Sequence, residues 1–202
     1  MTEQLDADSY NKRGVDKYHL GDYEDAIADF TQAIQLKPNF AEAYHNRGNT
    51  KHILEDYEGA IADFTKAIEY KEDFAKAYFN RGLVEKNLGR NQDAITDFNK
   101  SEFYLIIQDI ELKHDFAEVY NNRGWCKLNL EDYEGAIAEF TKAIECKDDF
   151  AEAYFNRGLV EKNLGRNQDA ITDYKKAAHL FKLQNKMDDY QNALNQVKRL
   201  EE

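Results

Sequence analysis

Apolar and polar residues along this chain follow a helical rhythm that restarts every 34 residues, with one longer interval. Alignment on the Asn-Arg-Gly triplet (Lys-Arg-Gly in the first unit) sets repeats at 7–40, 41–74, 75–116, 117–150 and 151–184. In each, the fourth residue is Tyr, the eighth Gly, the twentieth Ala, the twenty-first Ile and the twenty-fourth aromatic. Residues spaced by three, four and seven share a helix face, which strands cannot arrange. A break follows at Leu-Gly-Asp (20–22) or Leu-Gly-Arg (88–90, 164–166), where Gly suits a helix C-terminus. Each repeat therefore predicts an antiparallel pair, helix A then helix B, whose Gly and Ala allow close approach under a ring. Glu55 and Glu131 replace that Gly in two repeats, predicting a less rigidly set A–B corner.

Residues 77–97 recur letter for letter as 153–173, an offset of 76, or two repeats plus eight. The excess lies near 101–112 in the third repeat. It predicts that helix B of the third repeat and helix A of the fourth each gain about one turn, or that an extended helix B is followed by a tight return. Beyond 184, Tyr190, Ala193, Leu194, Val197 and Leu200 form one apolar stripe, predicting a capping helix within 185–202. Residues 1–6 are expected to fray.

Composition narrows the function. A formal charge of −12 argues against nucleic acid and against an anionic membrane surface. No apolar run suffices for a transmembrane helix, and the N-terminus lacks the basic and apolar regions of a secretory signal, so a cytoplasmic location is expected. Cys126 and Cys146 are expected as free thiols. Every Gly occupies a repeat position, leaving none for a phosphate-cradling loop, and no Gly-x-Ser-x-Gly, His-Glu-x-x-His or Cys-x-x-Cys occurs. His19, His45 and His52 do not make a metal-ligand set. No enzyme, cofactor or metal is expected.

The pattern over 7–184 resembles the tetratricopeptide repeat (TPR), in the subgroup whose helix A opens Ala-x-Ala-Tyr-x-Asn-Arg-Gly. The resemblance implies an all-α, right-handed superhelical solenoid that serves as a protein-protein interaction scaffold or adaptor. Its departures are modest: the family's Pro survives only as Pro38, with Glu72 and Asp148 at equivalent positions. In that family helix A lines a concave groove that takes a peptide or helix of a partner. The groove residues would be Asn46, Asn49, Phe79, Asn80, Leu83, Asn122, Trp125, Phe155, Asn156 and Leu159. An Asn side chain carries donors and an acceptor, so a spaced row can pair with an extended backbone or only satisfy its surroundings. Trp125 can likewise anchor a partner or pack between neighbouring helices. The clamp that holds the acidic tails of the chaperones Hsp70 and Hsp90 is not expected, because only Asn46 and Lys76 fit its pattern in the first three repeats.

Two further sets stand out. Arg13, Arg47, Arg81, Arg123 and Arg157 travel with Asp29, Asp63, Asp97, Glu139 and Asp173, sixteen residues on. They read as A–B ion pairs, against the alternative of an arginine row gripping an acidic ligand. Phe103, Tyr104, Leu105, Ile106, Ile107 and Ile110 crowd the insertion, either as packing or as a second surface for a partner or for self-association. The chain is expected to be a monomer or weak homodimer. Its alternative role is a self-assembling structural element using 103–110.

Overall fold

The computed structural model of the protein describes residues 5–108 and 113–202, and all regular structure among them is α-helix. The chain divides into two units. The first holds α1 (Ala7–Leu20), α2 (Tyr23–Leu36), α3 (Ala41–Ile53), α4 (Tyr57–Tyr70), α5 (Ala75–Asn87) and α6 (Asn91–Ile107). The second holds α7 (Lys113–Asn129), α8 (Tyr133–Cys146), α9 (Ala151–Asn163), α10 (Asn167–Leu183) and α11 (Met187–Glu201). Within each unit successive helices pack as neighbours, odd-numbered on even-numbered.

Each pair is built on a ring seated against bare backbone. A Cβ on Gly48 would lie 2.8 Å from the Phe64 ring, and one on Gly124 2.8 Å from that of Phe140. Only Gly therefore lets helix A approach so near. The rings it admits, Phe30, Phe64, Phe98, Phe140 and Tyr174, are fully buried, each contributing roughly 1.5–3 kcal/mol as apolar area. Buried Ala26, Ala60, Ala94, Ala136 and Ala170 keep the same approach open from helix B.

The corner between α3 and α4 holds its shape without glycine. Glu55 adopts φ 60° and Glu131, at the equivalent corner, φ 62°, the left-handed geometry that Gly21, Gly89 and Gly165 take at no steric cost. The turn is thus the same, and the two glutamates bear about 1 kcal/mol of backbone strain each.

Helix lengths refine the reading of the insertion. α6 and α7 have 17 residues each, against 13 or 14 in α1–α5. Yet α10 also has 17 residues with no insertion beside it. Both α6 and α10 end at a Gln whose amide donates back across the repeat, Gln108 to Asp73 O at 2.7 Å and Gln184 to Asp149 O at 3.1 Å. The length of α6 is therefore a property of its repeat type, whereas α7 starts at Lys113, ahead of the boundary at 117. Ile110 lies outside the described residues. In the second unit α11 lays Ala193 and Val197 on α10, closing a core of Ala177, Phe181 and Tyr174.

Candidate functional site

The A helices of each unit bring the expected polar row together, and its amides bond first to one another. In the first unit Asn46 Nδ2 donates to Asn11 Oδ1 at 3.0 Å, and Asn80 Nδ2 to Asn49 Oδ1 at 2.8 Å and His45 Nε2 at 3.0 Å. In the second, Asn156 Nδ2 donates to Asn121 Oδ1 at 3.1 Å, while Asn122 Nδ2 caps Glu118 O at 2.9 Å. Through Asn46, Asn80 and Asn156 the row is a cross-brace between consecutive A helices. Asn amide nitrogen only donates, so Nε2 of His45 accepts and the imidazole is held neutral. Burial beneath Phe64 and Phe74 reinforces this, pushing the His45 pKa down to about 4.

Between α1, α2 and α3 lies a recess of about 150 Å³, lined by Val15, Tyr18, His19, Phe30, Asn46 and Asn49. Its floor is apolar and its edge carries two amides. Because Asn49 Oδ1 is engaged by Asn80, the NH₂ of Asn49 is the half left to offer. At the position of Val15, α7 carries Trp125, which is 36% exposed. The smallness of Val15 beside the larger Trp125, Leu83 and Leu159 was the sequence signal for this recess.

The apolar groove residues divide. Phe79 packs on Phe98 with ring centres 5.8 Å apart, and Phe155 on Tyr174 at 5.2 Å and Phe181 at 6.4 Å. These rings belong partly to the core of their own unit. Leu83 and Leu159 are half-buried.

Each repeat arginine grips its acid through two nitrogens. Arg47 reaches Asp63 at 2.8 and 2.7 Å, Arg81 reaches Asp97 at 2.7 and 2.8 Å, and Arg157 reaches Asp173 at 2.7 and 2.9 Å. Arg13 does the same with Asp29, and Arg123 spends both nitrogens on Oε2 of Glu139. Arg47, Arg81 and Arg157 each also donate to the Thr hydroxyl of the preceding repeat, at 3.0, 2.9 and 3.0 Å. Tyr10, Tyr44, Tyr78, Tyr120 and Tyr154 stack beneath these guanidinium groups, which accounts for the Tyr at the fourth position. A fork so occupied has little to give an acidic ligand.

On α6, Phe103, Ile106 and Ile107 are exposed, while Tyr104 stacks on Tyr78 at 5.6 Å. Of the two alternatives for Leu105, packing is the one that holds. It is 4% exposed, because one turn beyond buried Ser101 it faces inward with it. Sequence reading also missed Glu85 and Glu161, which replace a repeated Lys and whose sign reversal was visible in the alignment. Among the described residues no group of three or more His, Cys, Asp or Glu is placed to hold a metal ion, and no helix is long and apolar enough to cross a membrane.

Comparison with known proteins places this arrangement. The family described as TPR repeat matches residues 16–54, 48–89 and 128–165, and that described as tetratricopeptide repeat matches 151–181. No curated protein matches by sequence. The crystal structure of MamA superposes with a TM-score of 0.75 at 23% identity, over 86% of this chain and 96% of that one. YrrB, titled a TPR protein with an unusual peptide-binding site, gives 0.76 at 22% identity, over 96% and 92%. PilF of Pseudomonas aeruginosa gives 0.73 at 17% identity, over 96% and 91%. These likenesses establish the fold. With the family matched over more than half its length, the chain belongs to the tetratricopeptide-repeat proteins and is an interaction scaffold rather than an enzyme.

Proposed function

We propose that the A-helix face binds a peptide or helical segment of a protein partner. The recess beside Asn46 and Asn49 carries this reading, since an apolar floor with an amide edge suits one apolar side chain and the peptide group next to it. In the second unit the exposed ring of Trp125 would supply an anchor of its own. The amides already braced between helices would act chiefly through what remains of them, the NH₂ of Asn49 and the carbonyl oxygens of Asn80 and Asn156. That the repeat arginines are engaged by their own acids argues against an acidic C-terminal tail as the ligand. The proposed location is the cytoplasm, a reducing compartment that suits the thiols of Cys126 and Cys146.

Peptides selected from a random library on the wild-type protein test this. Val15→Trp, which fills the recess, is expected to weaken them at least about tenfold, the worth of one lost anchor, with helical content unchanged. Unaltered affinity for both Val15→Trp and Trp125→Ala would sink the groove reading.

A second reading, self-association through α6, rests on a comparison inside the molecule. At the positions of Phe103, Ile106 and Ile107, the equally long α10 carries His179, Lys182 and Leu183. The helix does not need apolar residues at the first two of these places. Light scattering should show a dimer that Ile106→Lys/Ile107→Lys dissociates; a wild-type monomer at high concentration refutes it.

A further inference from the structure

The third and fifth repeats break an electrostatic rule that the other three keep. In those three, the acid held by Arg also meets a Lys: Lys17 lies 3.0 Å from Asp29, Lys51 2.8 Å from Asp63 and Lys127 3.7 Å from Glu139. Two cations thus face one carboxylate. The residues equivalent to these lysines are Glu85 and Glu161, so here a single arginine faces two carboxyl groups. Glu85 is within hydrogen-bonding reach of Asp97, and Glu161 of Asp173. One oxygen of each glutamate, Oε2, is shut off from solvent and meets no donor, and Glu161 as a whole is only 9% exposed.

Two ionised carboxylates offer only acceptors to each other, and at this range they repel. A single proton changes that, because a carboxylic acid donates to its neighbour. We propose that Glu85–Asp97 and Glu161–Asp173 are proton-sharing pairs that latch helix A to helix B when protonated and push them apart when ionised, giving each unit one pH-responsive repeat.

The surroundings favour the proton. Burial first, and the facing aspartate second, push the pKa of Glu85 and of Glu161 up to about 7. Arg81 and Arg157 oppose the shift, while Asp93 and Asp169 add to it. Arg90 and Arg166 also feel the glutamates but lie at the helix corners, bound to Glu58 and Glu134. Beside Glu161 the Tyr174 hydroxyl, its pKa pushed up to about 12 by burial and then by that glutamate, stays neutral. Because the folded pKa exceeds the ordinary 4.5, the stabilising contribution is complete below that value and is lost as pH rises through about 7. Repeats one, two and four carry Lys in this place and so lack the second carboxyl group.

Chemical denaturation of the full chain at pH 6 and pH 8 tests the pair. The unfolding constant of the second unit is expected to rise about tenfold between these values in the wild type, and that of the first by less, because its neutral His45 favours the higher pH. Glu85→Gln/Glu161→Gln, which donates without ionising, should remove that rise. Carbon NMR of side-chain carboxyl groups in the wild type provides a readout that does not depend on the variant folding. Two glutamate resonances should titrate near neutrality, apart from the ordinary range of about 4.3. If every glutamate titrates in the ordinary range, or the double variant keeps the full rise, the proposal fails.

Discussion

The pairs α5–α6 and α9–α10 share an unbroken run of 21 identical residues and differ in what lies over them. Their local chemistry is the same: Gly82 and Gly158 admit the ring of helix B, Arg81 and Arg157 grip Asp97 and Asp173, and Glu85 and Glu161 close on those acids. In the second unit, α11 completes the surface with Ala193 and Val197, and Phe155 joins Phe181 beneath it. In the first, the corresponding Phe79 meets Phe98, and the buried counterpart of Phe181 is the smaller Leu105. Identity of sequence therefore reproduced a helix pair and its internal bonds. It did not reproduce the environment, which the neighbouring helix supplies.

The largest expected effect tests that difference in packing. Phe181→Ala should cost about 3–5 kcal/mol and Leu105→Ala about 2–4 kcal/mol, both measured by urea unfolding. A greater loss at Leu105 would show that α11 adds less to the core than its contacts imply.

A smaller effect separates the units by pH. Asn121 occupies in the fourth repeat the place of His45 in the second, so only the first unit buries an imidazole in this row. The His45 pKa is lowered to about 4, so the unfolded chain binds the proton first. Stability from this group is complete above about 6.5 and falls with pH below it, by roughly 2 kcal/mol between pH 7 and 5. In a Glu85→Gln background, where the opposing loss as pH rises through about 7 is removed, His45→Asn should abolish that acid loss. Persistence of the acid loss in the variant would place its origin elsewhere.

Much of this architecture was legible before any coordinates. Gly at the eighth position and an aromatic at the twenty-fourth announced a ring against backbone, because no other pairing explains their strict spacing. The arginines and acids sixteen residues apart were visible for the same reason. The Asn row was legible as a row, but not its use. Which amide hydrogen is spent on a neighbouring helix depends on distances of 2.8 to 3.1 Å set by packing. Leu105 sat among apolar letters that no periodicity divided into inside and outside. Glu161 stood where other repeats carry Lys, but nothing along the chain marked it as buried.

The sequence by itself determined the repeat, the helix pairs and the contacts within each pair, because these depend on residues one or two turns apart and on a short corner between them. Tertiary structure alone decided which polar groups are spent and which remain. It braced the asparagines across helices, opened a recess beside Val15, and left one buried oxygen on each of two glutamates without a donor. A hydrogen bond or a buried charge is settled by what lies within about 3 Å. That neighbour belongs as often to another helix as to the same one.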